Sequence, residues 1–130
     1  MENSKVVIDP NVNWDGLNLE IHFLNPISVD IQKEIKEKIS TWAQVGINQG
    51  YGDGNMHYEG KGEWDKSGQW YKVWLDMGTA DESALNKLEE ILLPNMIDTI
   101  KVGYEFPDDR YELDDETKQL LDEFEQLDSK

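Results

Sequence analysis

The chain has 130 residues, which is enough for one domain with a single hydrophobic core and too few for two full domains. Apolar residues make up 38% of the sequence, with five Trp and five Tyr, a composition that excludes an intrinsically disordered chain. Twenty-eight acidic against twelve basic residues give a net charge of −16, which opposes direct binding to nucleic acid or to an anionic membrane. A surface of this charge fits a cation, namely a basic protein or a metal, or water itself in a high-salt setting.

Cysteine is absent from the sequence, so a disulfide framework and a thiolate metal site are both excluded. Residues 1–10 have no long apolar run of the kind found in a signal peptide. No segment approaches the ~18 apolar residues of a membrane span. These features predict a soluble protein of the reducing cytoplasm.

The first predicted elements along the chain are a strand and a helix. Residues 17–23 alternate apolar and polar side chains, the pattern of a strand with one buried face, and Val6–Ile8 is a candidate short edge strand. Residues 27–42 carry Ile and Trp at spacings of four and three, which predicts an amphipathic helix. The predicted limits of this helix are a cap at Asn25 or Ser28 and a left-handed glycine at Gly46.

A β-hairpin is predicted after the glycine-rich loop at residues 48–55. Residues 56–64 and 70–77 both alternate, and the turn residues 65–68 lie between them. Strict alternation through residues 56–64, the first strand of this hairpin, puts Tyr58 on the same face as Trp64. The other face of that strand then carries the polar side chains of His57, Glu59, Lys61 and Glu63.

A second helix and a last strand complete the predicted domain. Residues 79–82 have the form of a capping box, and leucines follow at helical spacing until Pro94. Residues 100–106 alternate again, and Pro107 ends them. The order strand, helix, strand, strand, helix, strand is that of a ferredoxin-like β-α-β-β-α-β fold. We therefore expect one α+β domain over residues 1–107, with a four-stranded antiparallel sheet and both helices on one face.

Residues 108–130 differ from the rest of the sequence in charge, with ten acidic and three basic residues. Apolar side chains nevertheless recur there at helical spacing, and Asp114 or Asp115 is a suitable cap. We expect an acidic C-terminal helix that packs on the same domain or binds a partner. Its apolar face consists of Leu113, Leu120, Leu121, Phe124 and Leu127.

Catalytic and metal-binding patterns are missing from the sequence. His22 and His57, each near a glutamate, lack the close spacing of a metal site. Residues 53–55 match part of a calcium loop, but the ordered oxygen ligands and the final Glu are missing. No nucleophile elbow or phosphate-binding loop occurs. We expect no catalytic activity, metal or cofactor; the alternative is a small enzyme that uses a carboxylate in the loop at residues 50–54.

The aromatic residues of the predicted hairpin indicate a binding surface. If the odd-numbered residues of 70–77 face the helices, then Trp70, Lys72 and Trp74 share the helix-free face of the sheet. Exposed Trp is costly in water and frequent at interface hot spots. The alternatives are that the C-terminal helix covers these rings, or that the register is reversed and the Tyr face is open. The predicted partner-binding residues are Trp70, Trp74, Lys72, His57, Glu59, Glu63, Asp53 and Tyr51.

Negative charge combined with aromatic anchors is typical of an inhibitor that binds a basic protein. A strong field speeds encounter with a basic cleft, and buried aromatic side chains then slow release. We expect an immunity or antitoxin-type protein that neutralises a basic nuclease toxin by occluding its active-site or nucleic-acid cleft, as a monomer or weak dimer. The alternatives are a phage-type nucleic-acid mimic directed against a host defence enzyme, and a small acidic adaptor or regulatory domain without an inhibitory role.

Overall fold

A computed structural model of the chain describes residues 4–105, which form an α+β fold. One sheet of six strands carries two α-helices packed on one of its faces. The α+β class predicted from the sequence is confirmed. Residues 1–3 and 106–130 lie outside the described residues, and the predicted acidic helix lies there with them.

The elements follow the alternating and helical patterns of the sequence. The first half of the chain forms β1 (Val6–Ile8), β2 (Leu17–Phe23) and α1 (Val29–Asn48). The second half forms β3 (Tyr58–Glu59), β4 (Glu63–Trp64), β5 (Trp70–Asp76), α2 (Ser83–Leu92), a 3₁₀ turn (Leu93–Asn95) and β6 (Ile97–Val102).

The strand order in the sheet is β1-β6-β2-β5-β3, and β4 also pairs with β5. β2 is antiparallel to its neighbours β5 and β6, whereas β1 is parallel to β6. The predicted four-stranded, wholly antiparallel sheet is therefore too small, and the actual sheet is mixed. The candidate edge strand Val6–Ile8 is confirmed, and it pairs with residues 100–102. That pairing joins the two ends of the described chain, so no local pattern predicts its direction.

The core lies between the sheet and the two helices. Alternate side chains of β2 and β5 are at most 2% exposed on this side. The predicted stripe of α1 is confirmed for its central residues, but Ile31, in the first turn, is 36% exposed. The buried helix residues are Ile35, Ile39, Trp42, Ala43 and Gly46 of α1, and Ala84, Leu85, Leu88 and Leu92 of α2.

Gly46 does not end α1 as predicted, because the helix continues to Asn48. Gly46 is buried, and a Cβ at this position would lie 2.3 Å from the Met56 sulfur. Close packing of the following loop, and not a left-handed turn, therefore requires glycine there. The left-handed glycine is Gly50, with φ of 89°, whose N–H donates to the Val45 carbonyl oxygen over 3.0 Å.

The start of α2 differs from the predicted capping box at residues 79–82. The Asp81 carboxylate accepts the Ser83 N–H over 2.9 Å, whereas the Thr79 hydroxyl accepts the Asn55 N–H over 3.0 Å. Asp81 thus satisfies one of the free donors at the helix start. Thr79 instead holds the loop that precedes β3.

β6 begins and ends earlier than the predicted residues 100–106. The 3₁₀ turn that contains Pro94 ends at Asn95. Met96 follows in the left-handed region with φ of 59°, and the strand starts at the next residue. The strand ends at Val102 because Gly103, with φ of 89°, turns the chain. Phe106, the last residue of the predicted strand, lies outside the described residues.

A β-bulge interrupts the chain along the outer edge of β5. Glu59 lies opposite Leu75 and Glu63 lies opposite Lys72, so residues 60–62 include one residue more than the facing part of β5. The extra residue reverses the side-chain direction, and Glu59 and Glu63 point to opposite faces of the sheet. The prediction that they share a face is wrong. Tyr58, and not Glu59, lies on the same face as Glu63.

Candidate functional site

The face of the sheet opposite α1 and α2, here called the open face, carries most of the predicted binding residues. The odd-numbered side chains from 71 to 77 enter the core, so the even-numbered side chains of β5 point away from the helices. Neither described α-helix lies on this side. The open face has two parts that differ in exposure, a charged centre and an aromatic corner.

The charged centre consists of Glu20, Lys72 and Lys101. Glu20 on β2 lies directly opposite both lysines, one on β5 and one on β6. The Lys72 Nζ also lies 3.6 Å from a Glu63 carboxylate oxygen. Glu20 is 1% exposed, the one buried charged side chain among the described residues. Because opposite charges at paired positions stabilise a sheet, the charged centre contributes to the fold more than to an open binding surface.

Trp70 lies beside the charged centre and makes contacts within the domain. Its ring stacks on the His22 ring with centroids 4.2 Å apart, and the Lys101 Nζ lies 5.9 Å from its centroid. His22 Nδ1 lies 2.8 Å from Asp98 Oδ2. The hydrogen bond to His22 lowers the pKa of Asp98. Trp70 is therefore a packed residue of the open face and not an exposed anchor.

The aromatic corner consists of Tyr58 and Trp74, which are 55% and 42% exposed. Their ring centroids are 5.8 Å apart, and the ring planes meet at 58°. A Cβ at Gly16 would come within 2.8 Å of Trp74 Cζ2, so the indole lies against the backbone at that glycine. Asp76 lies opposite Tyr58 and on the same face as Trp74. The corner thus presents two aromatic rings to solvent with a carboxylate beside them.

His57 lies directly before β3, next to the aromatic corner. Its Nδ1 is 3.8 Å from Asp76 Oδ1, and its side chain is 58% exposed. The same Asp76 oxygen accepts the Gly78 N–H over 2.9 Å. Asp76 is therefore held in place by the backbone, with His57 on one side and Tyr58 on the other.

Glu59 lies on the helix side of the sheet and not on the open face. The Ser40 hydroxyl of α1 donates to its two carboxylate oxygens over 3.1 and 3.2 Å. Burial raises the pKa of Glu59, and the hydrogen bond from Ser40 opposes that shift. Burial also raises the pKa of the Tyr71 hydroxyl, and the nearby Glu59 carboxylate adds to the increase. Glu59 belongs to a polar contact between α1 and the sheet.

Tyr51 and Asp53 also lie away from the open face. The Tyr51 hydroxyl donates to the Trp42 carbonyl oxygen over 2.9 Å, and the two rings stack with centroids 6.1 Å apart. Tyr51 lines a groove of about 630 Å³ between α1 and α2. Asp53 is exposed in the adjoining loop, where the neighbouring Gly52 packs against Asp81.

The structure therefore divides the predicted binding residues between two sides of the molecule. Trp70, Lys72, Trp74, Glu63 and His57 lie on the open face or at its edge, whereas Tyr51, Asp53 and Glu59 belong to the helix side. Sequence reasoning missed Tyr58, because strict alternation put it in the core. The signal that could have located it is Gly60-Lys61-Gly62, since glycines within a strand pattern often mark a bulge.

The open face offers charged and aromatic side chains. Within residues 4–105, no three His, Asp or Glu side chains come close enough together to hold a metal ion. Neither α1 nor α2 combines the length and apolar character that a membrane crossing requires. Paired charges and exposed rings are groups that can make electrostatic and aromatic contacts with another molecule.

Comparisons with known proteins supply no assignment. No protein-family model matches the sequence, and the searches of curated proteins and of solved structures return no match.

Proposed function

We propose that the protein is an acidic, protein-binding inhibitor that holds a basic protein at its open face. The observation that carries this proposal is the aromatic corner, an exposed Trp and Tyr pair on a domain of a chain with a net charge of −16. Aromatic side chains are enriched at interface hot spots, where they fill pockets of the partner. The negative charge speeds association with a basic surface.

Within this class, we propose an immunity or antitoxin-type protein that neutralises a basic nuclease toxin in the cytoplasm. Enzymes that bind nucleic acid present clusters of Lys and Arg to the phosphate backbone. An acidic domain complements such a cluster and blocks access to it without any catalytic step of its own. A single copy of the chain is sufficient for this role.

We further propose that β6, β2, β5 and β3 form a ferredoxin-like unit with α1 and α2, to which β1 and β4 are added. Support comes from the order β6-β2-β5-β3 and from the two helices, which follow β2 and β5 and pack on one face. Interstrand contacts measured by NMR test this order. Contacts of β2 with β3 in place of β5 would contradict it.

A capture experiment with the full chain tests the proposed function. Wild type, Trp74→Ala and Leu93→Ala are immobilised separately and exposed to lysate of the native cell. Leu93 is 48% exposed and lies in the 3₁₀ turn, outside the sheet, so it serves as the matched control. We expect one basic protein that wild type and Leu93→Ala retain and that Trp74→Ala loses. Once purified, this protein should have nuclease activity that equimolar wild type suppresses.

The kinetics of that complex separate the role of charge from the role of the rings. Association should slow as salt rises, because the Debye length is already only about 8 Å at physiological ionic strength. Trp74→Ala should instead speed dissociation, with a loss of about 2 kcal/mol or more if the ring is a central anchor. Full affinity after removal of both rings of the aromatic corner would exclude the open face. A partner without nuclease activity would exclude the immunity role and favour an adaptor.

A further inference from the structure

The open face already holds one cation within reach of two aromatic rings. The Lys101 Nζ lies 5.9 Å from the ring centroid of Trp70 and 5.3 Å from that of Tyr104. Both distances are within the range of a cation–π contact. The ligand in this arrangement is the protein's own lysine, and the rings are one Trp and one Tyr.

The aromatic corner repeats the pairing of one Trp with one Tyr on the same face. Trp74 lies four residues after Trp70 on β5, so both indoles point to the same side of the sheet. The Tyr58 and Trp74 rings meet at 58° and do not stack on each other. Within the described part of the chain, no lysine or arginine lies over either ring. The corner therefore has the components of a cation site, with both rings exposed to solvent.

Carboxylates beside the corner supply the charge for such a site. Asp76 lies directly opposite Tyr58, where the Cβ atoms of paired residues are about 5 Å apart. Its carboxylate is 25% exposed and is oriented by the Gly78 N–H. Asp15 is exposed and precedes Gly16, the glycine against which the Trp74 indole lies. A cation above the rings thus has the fixed Asp76 carboxylate beside it.

We infer that the aromatic corner is a binding site for a guanidinium group, and that the partner inserts an arginine side chain there. Guanidinium is planar and stacks on aromatic rings, and its donors pair with a carboxylate in a fixed geometry. A lysine ammonium offers only a point charge. This inference names the group recognised at the proposed binding surface and therefore rests on the proposed function, but its test needs no partner protein.

The test is a titration of the full, ¹⁵N-labelled chain with N-acetyl-arginine amide, followed by NMR at the tryptophan indole N–H signals. The Trp74 signal should shift and saturate with added ligand. The Trp42 indole on the helix side serves as an internal reference, because Trp42 is 1% exposed and its Nε1 donates to the Ala84 carbonyl oxygen over 2.8 Å. N-acetyl-citrulline amide, which has nearly the same shape without the charge, should bind roughly 2- to 30-fold more weakly.

Two pairs of variants locate the site. Trp74→Leu should reduce the affinity for arginine amide by roughly 2- to 30-fold, whereas Trp74→Phe, which keeps a ring, should reduce it less. Because both variants lack the Trp74 indole, their affinities are measured from the backbone N–H signals of Tyr58 and Asp76. Asp76→Asn should reduce it by roughly 2- to 5-fold, as expected for a partly exposed ion pair. Glu63→Gln is the matched control, because it removes the same charge from the same face beside Lys72 and should leave the affinity unchanged.

Equal binding of the citrulline and arginine amides would overturn the inference, as would equal or tighter binding of N-acetyl-lysine amide. An equal loss in Asp76→Asn and Glu63→Gln would also overturn it, since only the net charge would then matter. The experiments test the proposed function and the guanidinium site independently of each other. Arginine amide binding without a basic partner in the capture experiment contradicts the proposed function alone, and a captured partner without arginine amide binding contradicts the guanidinium site alone.

Discussion

The side chains on the two faces of β5 differ in burial and in contacts. On the helix side, Tyr71, Val73 and Leu75 are at most 1% exposed and belong to the core. On the open side, Trp70 is engaged by His22 and Lys101, and Trp74 is 42% exposed. The buried face maintains the fold, because every atom there has packing partners. The open face has a large ring with fewer such partners, and the proposed function assigns this ring a role in recognition.

The largest expected difference between the faces follows from truncating a core residue. Leu75→Ala should reduce the free energy of unfolding by about 2–5 kcal/mol, because it opens a cavity under the helices. Urea denaturation measures this loss. Leu93→Ala is the control, since Leu93 is 48% exposed and its truncation should cost well under half as much. Equal losses at the two positions would mean that β5 does not have one closely packed face.

A methyl group added in the bulge tests how rigid the buried side is. A Cβ at Gly62 would lie 1.5 Å from the Tyr71 hydroxyl oxygen, and Tyr71 is 1% exposed and cannot move away. Gly62→Ala should therefore destabilise the protein by about 1–3 kcal/mol. Gly60→Ala is the matched variant in the same bulge, where the nearest atom is 3.0 Å away. A larger loss of unfolding free energy for Gly60→Ala than for Gly62→Ala would contradict the placement of the bulge.

The pH dependence of stability distinguishes Glu59, on the buried side, from the acidic residues of the open face. Burial raises the pKa of Glu59 above 4.5, so the folded state favours the protonated carboxyl. The stability that this carboxyl contributes is present below its unfolded pKa and is lost as pH rises through the folded pKa. Glu59→Gln should therefore gain stability relative to wild type as pH rises from about 4 toward neutral.

Denaturation of both proteins across that pH range measures the gain. Glu63→Gln is the control for net charge, because it removes the same charge from a half-exposed side chain on the open face. A gain that appears equally in both variants would reflect the high net charge of the chain and not the burial of Glu59.

The smallest effect on stability is expected where the open face meets Gly16. A Cβ there would come within 2.8 Å of Trp74 Cζ2, but the half-exposed indole can move toward solvent. Gly16→Ala should change the unfolding free energy by only about 0.5 kcal/mol. It should nevertheless shift the Trp74 indole signal and weaken binding at the aromatic corner. A loss of stability as large as that of Gly62→Ala would show that Trp74 is a core residue.

Periodicity within single segments determined much of the fold. Alternation in residues 17–23 and 70–77 predicted two strands and the sides of their residues correctly, because side-chain direction in a strand depends only on local parity. The stripe of α1 predicted the buried Ile35, Ile39 and Trp42, because apolar residues at a spacing of three and four lie on one side of a helix. Charge and composition, which need no structure, predicted an acidic surface.

Tertiary structure alone decided which side chains share the open face. The bulge at residues 60–62 puts Tyr58 on the open face and Glu59 on the helix side, because one extra residue inverts the alternation between the residues before the bulge and those after it. Pairing of β1 with β6 and burial of Glu20 between two lysines likewise depend on segments far apart in the chain. Pairing register between such segments is set by how the whole core packs, and a single sequence read segment by segment does not contain it.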